Sequence, residues 1–412
     1  MSTTKNTRYH GDEESNFRRA EASLSAGLEA GRLTQSDADV IRKFTRRMKA
    51  NISPGRYAKI ISMLASVRRY FPCQYVDVDE DAYLDGLVAM KYAKHLEGKN
   101  KGQPYTQNTV ADWMKITKRF FRYLSQQGLT SVPLDAIEGT KTGGYDRHTK
   151  TEEDVLTADE IGRIIECCKT PKYKAFFGML YETGGRSIEL SNLRWKDLTF
   201  YQWGVEVKLT DYKAGTNPII RTIPVITYAR YLSSWKSVYS AGDPSGDAFV
   251  FVTPSGLPME YKAISKTLSK FVKQAGIVDK TVTLHRFRHS RITHALREGM
   301  SETLVKMAFW GSVNTEMIGT YSHLTQNDIT DEFMRIAGVE VEHKEVNESP
   351  KPVQCVRCFT VSPPGTRFCP VCGNPLSGQA IEKRDDAIQL LERLISDMTD
   401  AEKLTLFSKL SE

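Results

Sequence analysis

Apolar residues recur at helical spacing through most of the first 130 positions of the chain. Ser53, followed by proline, has the sequence of a helix start. Thr106 opens a longer apolar stripe that ends before Gly128, a residue typical of helix C-termini. The pattern predicts a helical domain over residues 15–130 and a flexible N-terminus at 1–14. The two stripes are Ile60, Ile61, Leu64 and Val67, and Val110, Trp113, Met114, Phe120, Phe121 and Leu124.

The pattern changes after residues 131–152, which are rich in Gly, Thr and charge and predict a linker. Thr157 and Glu160 then form a capping box before a new apolar stripe. The alternating segments VEVKLTDY and IIRTIPV, separated by KAGTNP, predict a β-hairpin. Helical spacing returns after it, so residues 153–338 are expected to form a mainly helical domain with one small antiparallel sheet. The fold class predicted for the whole chain is therefore α+β, mainly α with a small antiparallel sheet.

The last part of the chain divides into three segments. Residues 339–352 are polar and predict a second linker, and residues 353–378 hold closely spaced cysteines. Residues 379–412 predict amphipathic helices, with Ile388, Leu391 and Ile395 on one stripe.

Composition narrows the class of protein. A chain of 412 residues is expected to hold two or three domains, and its net charge of +7 weakly favours a polyanionic partner. It has no run of about 18 apolar residues, which predicts no membrane association. The polar N-terminus lacks an apolar signal region, and an odd number of cysteines argues against a disulfide framework. These features predict a cytoplasmic, nucleoid-associated protein.

The strongest metal signal is CVRCFTVSPPGTRFCPVCG, in which ten residues separate two CxxC pairs. Each CxxC directs two thiolates to one point, and four thiolates form a closed tetrahedral Zn²⁺ site. So short a segment has no core of its own without the metal. A structural zinc ribbon is predicted, with the ligands Cys355, Cys358, Cys369 and Cys372.

Basic residues are frequent on the helices of the first domain. A solvated helix face is the ordinary interpretation of such charges. Their recurrence on several helices favours instead a surface that follows a phosphate backbone. The predicted DNA-binding residues are Lys115, Lys118, Arg119, Arg122, Arg68 and Arg69.

Five polar positions of the middle domain are candidates for chemistry, although each has an ordinary interpretation when taken alone. Arg186 follows two glycines, which allow a ligand to approach the backbone closely, but it could be a surface arginine. His285 and Arg288 share a helix face at i,i+3, and Lys213 lies in the hairpin turn, where lysines are usually solvated. Glu189 either orients a group of the site or pairs with an arginine, and the pairing is favoured.

In chain order, the arginine of TGGRSIEL, the lysine of the hairpin, HRFRH and a tyrosine followed two positions later by histidine resemble the motifs of the tyrosine recombinase (phage-integrase) family. LRWKDL and IRTIPV match as well. The resemblance covers residues 15–338 and implies a DNA core-binding domain at 15–130 and a catalytic domain at 153–338. The paired cysteines resemble C-terminal extensions of some archaeal integrases.

The resemblance implies a chemistry for five residues. Tyr321 would attack a DNA phosphodiester, forming a 3′-phosphotyrosyl link and releasing a 5′-hydroxyl. Arg186 and Arg288 would stabilise the charge of the transition state, because guanidinium forks match phosphate oxygens. Lys213 would protonate the leaving oxygen, and His285 would assist proton removal or hold the phosphate. No catalytic metal and no nucleotide cofactor are implied.

Ser312 is the one departure from the family pattern. The family usually has histidine or tryptophan at this position, nine residues before the tyrosine and after a glycine, here Gly311. A serine can donate one hydrogen bond to a phosphate, but it lacks the acid–base role of imidazole and the packing of tryptophan. Trp310 stands two positions earlier, directly before Gly311.

The resemblance also implies partners. These are double-stranded DNA, a homotetramer on DNA formed from free monomers or dimers, and an accessory DNA-bending or directionality protein. The segment Asp328–Ile336 resembles the helix that docks on a neighbouring protomer. The main hypothesis is a site-specific recombinase. The alternatives are relaxation of DNA like that of a type IB topoisomerase, and a non-catalytic zinc-ribbon DNA-binding protein on a recombinase scaffold.

Overall fold

The computed structural model describes residues 6, 9, 11–146, 152–211, 218–321, 337, 349–399 and 402–403. The chain divides into two compact units, Met1–Thr149 and Lys150–Glu412.

The first unit is helical, as the apolar spacing predicted. Ser53 caps α3, since its hydroxyl accepts the N–H of Arg56 at 3.3 Å, and Thr34 forms a capping box at the start of α2. The helices are α1 (Glu13–Glu29), α2 (Gln35–Met48), α3 (Pro54–Val67), α4 (Glu80–Lys91), α5 (Gln107–Gln126) and α6 (Leu134–Gly139).

The core of this unit lies between α2, α3 and α5. Phe120 and Phe121 are fully buried beside Tyr75, and each buried aromatic side chain contributes about 1.5–3 kcal/mol of transfer free energy. The prediction of a linker at 131–152 needs a correction at its start. Helix α6 lies inside that range, and its Ile137 is fully buried in the core of the first unit. The few apolar residues of LDAIEG give too short a pattern to predict a six-residue helix.

The second unit holds the predicted helices and hairpin. Thr157 and Glu160 form the expected capping box. Its helices are α7 (Ala158–Glu166), α8 (Pro171–Glu182), α9 (Ser187–Ser191), α10 (Ala229–Ser237), α11 (Tyr261–Gln274), α12 (Leu284–Arg297) and α13 (Glu302–Trp310).

A three-stranded antiparallel sheet runs in the order β1 (Leu198–Tyr201), β2 (Gly204–Asp211) and β3 (Ile219–Val225). The register pairs Leu209 with Arg221 and Asp211 with Ile219. Alternate residues of β2 face the core, among them Val205, Val207 and Leu209. The predicted fold class, mainly helical with small antiparallel sheets, is confirmed.

The cysteine segment forms a separate small element. Its strands are β4 (Val353–Gln354) and β5 (Val361–Ser362), which pair antiparallel. A long helix follows, α14 (Gly378–Asp397), on which Ile388, Leu391 and Ile395 are exposed. Among the described helices, none has the length and apolar character that crossing a membrane requires.

Candidate active site

Arg186 is placed by a tight turn between α8 and α9. It is the N-cap residue of α9, with extended backbone angles of φ −75° and ψ 143°. Gly184 precedes it at φ 54°, and a Cβ on Gly184 would lie 2.5 Å from the ring of Phe309. A side chain at position 184 would therefore strain the backbone and displace Phe309. Gly184 lets the turn pack closely against α13.

Glu189 pairs with arginines, as favoured from the sequence, and it also orients one of them. Its side chain is 1% exposed. One oxygen accepts Arg186 Nη1 at 3.0 Å, and the other accepts the Arg186 backbone N–H at 2.7 Å and Arg221 Nη2 at 2.5 Å. Asp211, the last residue of β2, binds Arg186 Nη1 at 2.5 Å. The guanidinium of Arg186 is therefore held from two sides.

Arg288 lies on α12 and is 2% exposed. It donates to the carbonyl oxygens of Gly184 and Phe309, both at 2.6 Å. Burial, and then the nearby positive charges of Arg186 and Arg221, lower the pKa of Arg288 to about 10. The structure thus brings Arg186 and Arg288 together, as the resemblance implied. Because these positive charges lie close together and are poorly solvated, the site favours binding of an anion.

Tyr321 follows a short 3₁₀ turn and is 2% exposed. It belongs to an apolar cluster with Ile292, Val305 and Phe309, and its ring centroid lies 6.1 Å from that of Trp310. Burial raises the pKa of Tyr321 well above its ordinary value, and the charge of Arg288 lowers it in part. The phenol is therefore protonated and enclosed in this conformation.

His289, rather than His285, contacts the tyrosine. Nδ1 of His289 is hydrogen-bonded to the hydroxyl of Tyr321. His285 is exposed, and its ring lies 4.3 Å from that of His289 at an interplanar angle of 83°. Sequence reasoning gave His289 no role. The available signal was its i,i+4 spacing from His285, which places both rings on the helix face that carries Arg288.

The structure describes Ser312 and its neighbour Trp310, but it does not describe Lys213. Ser312 follows Gly311, which ends α13 at φ 69°, and its hydroxyl accepts the N–H of Asn314 at 3.3 Å. The guanidinium of Arg288 lies over the ring of Trp310, with its Cζ 5.3 Å from the ring centroid. Lys213 and the segment Asp328–Ile336 lie outside the described residues, so their predicted roles stay predictions.

The four predicted metal ligands converge. The sulfur atoms of Cys355, Cys358, Cys369 and Cys372 all lie within 4.8 Å of one another. Sulfur pairs stand 3.4 and 3.6 Å apart, near the edge of about 3.8 Å for a tetrahedron with Zn–S bonds of about 2.3 Å. This set of thiols could bind a metal ion.

The two CxxC loops repeat one backbone pattern. Cys355 O accepts the N–H of Phe359 and Cys369 O that of Gly373, both at 2.8 Å. Phe359 and Gly373 also share positive φ angles of 57° and 71°. A left-handed phenylalanine costs about 1–2 kcal/mol. The first CxxC loop therefore keeps the same metal-binding geometry as the second, although Phe359 disfavours the left-handed backbone that this geometry requires.

The predicted DNA-binding residues of the first unit have varied surroundings. Arg119 and Arg69 are exposed, and Arg69 also contacts the hydroxyls of Tyr70 and Tyr105. The others have internal partners: Arg68 pairs with buried Asp37 at 2.8 Å, Arg122 and Lys118 with Glu138 at 2.5 and 3.8 Å, and Lys115 lies 3.4 Å from the ring of Tyr145. DNA binding by this set stays a prediction.

Comparison with known proteins agrees with the site. The profile of the phage integrase family matches residues 154–328. Transposase A of transposon Tn554 from Staphylococcus aureus is 26% identical over 266 residues, which cover 58% of this chain and 72% of the relative. The tyrosine recombinase XerD of Oceanobacillus iheyensis is 27% identical over 242 residues, covering 57% of this chain and 77% of the relative.

Solved structures share the fold. A lambda integrase dimer bound to a COC′ core site matches with a TM-score of 0.51 at 14% identity, covering 68% of this chain and 96% of that one. The Tn1549 transposon integrase in complex with a circular intermediate DNA matches with a TM-score of 0.53 at 18% identity, covering 72% and 99%.

Proposed function

Because this chain belongs to the tyrosine recombinase family through its integrase domain at residues 154–328, we propose that it is a site-specific DNA recombinase that uses Tyr321 as its nucleophile. Members of this family are enzymes that break and rejoin DNA strands. The finer proposal is a 3′-phosphotyrosyl intermediate and exchange of strands between two duplexes.

The observation that carries the proposal is the proximity of four side chains, those of Arg186, Arg288, His289 and Tyr321. The tyrosine hydroxyl has a histidine partner, and two guanidinium groups lie close enough for one to lower the pKa of the other. Nucleophile, proton acceptor and anion-stabilising donors are the three parts that phosphoryl transfer to a hydroxyl requires.

The step follows from these parts. The phenol oxygen of Tyr321 forms a bond to phosphorus while the bond from phosphorus to the 5′-oxygen breaks. His289 takes the phenolic proton, and Lys213 supplies a proton to the 5′-oxygen. Arg186 and Arg288 bind the non-bridging oxygens, on which negative charge grows in the transition state. The phosphotyrosyl ester keeps the bond energy, so rejoining needs no nucleotide.

The burial of Tyr321 adds a conformational step. A phenol that is 2% exposed cannot reach a phosphodiester on a DNA duplex. The 3₁₀ turn Met317–Thr320 and Tyr321 must therefore move outward before attack. Movement would also take the hydroxyl out of the apolar surroundings that raise its pKa.

Substituting His289 by Phe is expected to slow formation of the covalent adduct about 10²-fold, because the phenol loses its proton acceptor. His285→Phe should slow it far less, because the His285 ring contacts His289 and not the phenol. Single-turnover rates of adduct formation measure both variants. A large loss of rate in His285→Phe alone would give the proton transfer to His285.

The proposed partners are double-stranded DNA and further copies of this chain. We propose a tetramer on DNA, formed from monomers or dimers, with an accessory DNA-bending or directionality protein. Beside the site, β3 and α13 enclose a cavity of about 440 Å³ whose exposed apolar residues are Ile220, Leu304 and Met307. This cavity suits the apolar face of an amphipathic helix from a neighbouring protomer, the role proposed for Asp328–Ile336.

For the cysteine cluster we propose a structural Zn²⁺ held by Cys355, Cys358, Cys369 and Cys372. Four thiolates fill a tetrahedral shell and leave no position for substrate. When bound, the metal holds the two loops together and takes no part in strand cleavage.

Chelation is expected to release one zinc per chain and to unfold residues 353–376 locally, because this segment has little apolar core. Hydrogen exchange should quicken there and stay unchanged in α12, which lies in the core of the integrase domain. The same chelator should change little in a Cys369→Ser variant. Loss of protection throughout the second unit would contradict an independent ribbon.

The function is tested on duplexes recovered by binding selection from random-sequence DNA and nicked next to the scissile phosphate. Loss of the short strand traps the adduct, so the proposal expects a denaturation-resistant protein–DNA complex. Relaxation of any supercoiled plasmid, independent of site and of protein concentration, would favour a type IB topoisomerase instead. Tight binding without any adduct would favour the non-catalytic alternative.

A further inference from the structure

Arg221 is a buried arginine beside the site, and the proposed mechanism gives it no role. It lies on β3 with its side chain 2% exposed. Nη1 donates to the carbonyl oxygens of Ala308 and Phe309, both at 2.9 Å, and Nη2 donates to Glu189 at 2.5 Å. One side chain thus joins the sheet, the end of α13 and the carboxylate beside Arg186.

Two of the three groups that Arg221 contacts, Glu189 and the carbonyl of Phe309, also contact a catalytic arginine. Glu189 binds Arg186 through both its backbone and its side chain. The carbonyl of Phe309 also accepts Arg288 Nη2. In addition, the stem of Arg221 lies so close to Gly311 that a Cβ there would stand 3.1 Å from its Cγ. Arg221 therefore reaches the surroundings of Arg186, Arg288 and the position before Ser312.

We infer that Arg221 is a positioning residue that keeps Arg186 and Arg288 at the spacing needed to clamp one phosphodiester. The inference rests on the proposed function, because the clamp has a purpose only if a phosphate binds there. Arg221 is too buried to touch DNA, so it acts through Glu189 and through the carbonyls of α13.

Electrostatics supports this role. Arg186, Arg221 and Arg288 share the site with the carboxylates of Glu189 and Asp211, which leaves one net positive charge for a singly charged phosphodiester. Without Arg221, the whole charge of Glu189 would act on Arg186. The pair Arg186 and Arg288 would then lose the excess positive charge that attracts a phosphate. The carbonyls of Ala308 and Phe309 would also lose a donor, freeing the end of α13 to shift.

The variants Arg221→Met and Arg221→Lys test the inference, with Arg194→Met as the matched control. Arg194 is also buried and donates to a backbone carbonyl, that of Asp247, away from the site. Single-turnover adduct formation on the nicked duplex is expected to fall about 10²-fold in Arg221→Met and less in Arg221→Lys. DNA affinity should change by less than about threefold, and Arg194→Met should cleave at nearly the wild-type rate.

A methylphosphonate at the scissile position separates positioning from loss of structure. This substrate lacks the negative charge that the clamp binds, so the defect of Arg221→Met should shrink to a few-fold on it. An equal defect on both substrates, or wild-type cleavage by a folded Arg221→Met, would overturn the inference. If Arg221→Met does not fold, Arg221→Lys carries the same comparison.

Binding of inorganic phosphate, measured by titration calorimetry, does not depend on catalysis. Phosphate should bind about tenfold more weakly to Arg221→Met than to the wild type and the Arg194→Met control. If the wild type forms no adduct yet shows this difference, the proposed function fails and the positioning role stands. If phosphate binds equally to all three while the wild type cleaves, the inference alone fails.

Discussion

Tyr321→Phe is expected to abolish the covalent protein–DNA adduct while leaving DNA affinity within about threefold of the wild type. The variant keeps the ring in its apolar cluster and removes only the hydroxyl that would form the bond to phosphorus. Losing the hydrogen bond to His289 costs about 0.5–1.5 kcal/mol at most, so the variant should fold. The measurement is the fraction of nicked duplex that stays attached to protein after denaturation.

Tyr181→Phe is the matched control for this variant. Tyr181 is also buried, and its hydroxyl is hydrogen-bonded to Nδ1 of His294 at 2.7 Å. It therefore has the same pair of groups in the same unit without a role in the mechanism. Adduct formation by Tyr181→Phe should match the wild type. An adduct that persists in Tyr321→Phe would mean that another residue is the nucleophile.

Arg288→Met is expected to lower the rate of adduct formation by about 10³-fold. It removes a guanidinium that would bind the phosphate in a site largely closed to water, where such donors are worth most. Arg288→Lys should recover only part of the rate, because an ammonium cannot reach the carbonyls of Gly184 and Phe309 and a phosphate oxygen together. Single-turnover rates and melting temperatures measure both effects.

Arg286→Met serves as the control for Arg288. It lies two residues earlier on α12 and pairs with Asp154, away from the tyrosine. Both variants lose a guanidinium from the same helix, so only a role in the reaction predicts a large difference between their rates. Equal rates in the two folded variants would remove Arg288 from the mechanism.

The sequence predicted the elements whose patterns are local. Ser53 and Thr157 have the side chains that helix starts require, and both cap helices in the structure. The four cysteines were assigned from spacing alone, because the geometry of a CxxC loop is set within a few residues. Arg186 and Arg288 meet as the family resemblance implied, although no local pattern brings α9 and α12 together.

What the sequence did not reveal depends on contacts between distant segments. His289 was one of three clustered histidines, and only the packing of residue 321 against α12 shows which of them meets the phenol. The role of Arg221 was hidden in a strand whose alternation explains its burial but not its partners. The burial of Tyr321 likewise arises from α12 and α13 together, which no spacing within residues 309–325 specifies.

The central claim is tested most directly by identifying the amino acid that is joined to DNA. The wild-type protein is trapped on the nicked duplex and digested, and the peptide that carries nucleotides is sequenced by mass spectrometry. The account predicts a single linkage, from the phenol oxygen of Tyr321 to a 3′-phosphate, with a free 5′-hydroxyl on the released strand. A linkage at any other residue, or to a 5′-phosphate, would contradict it.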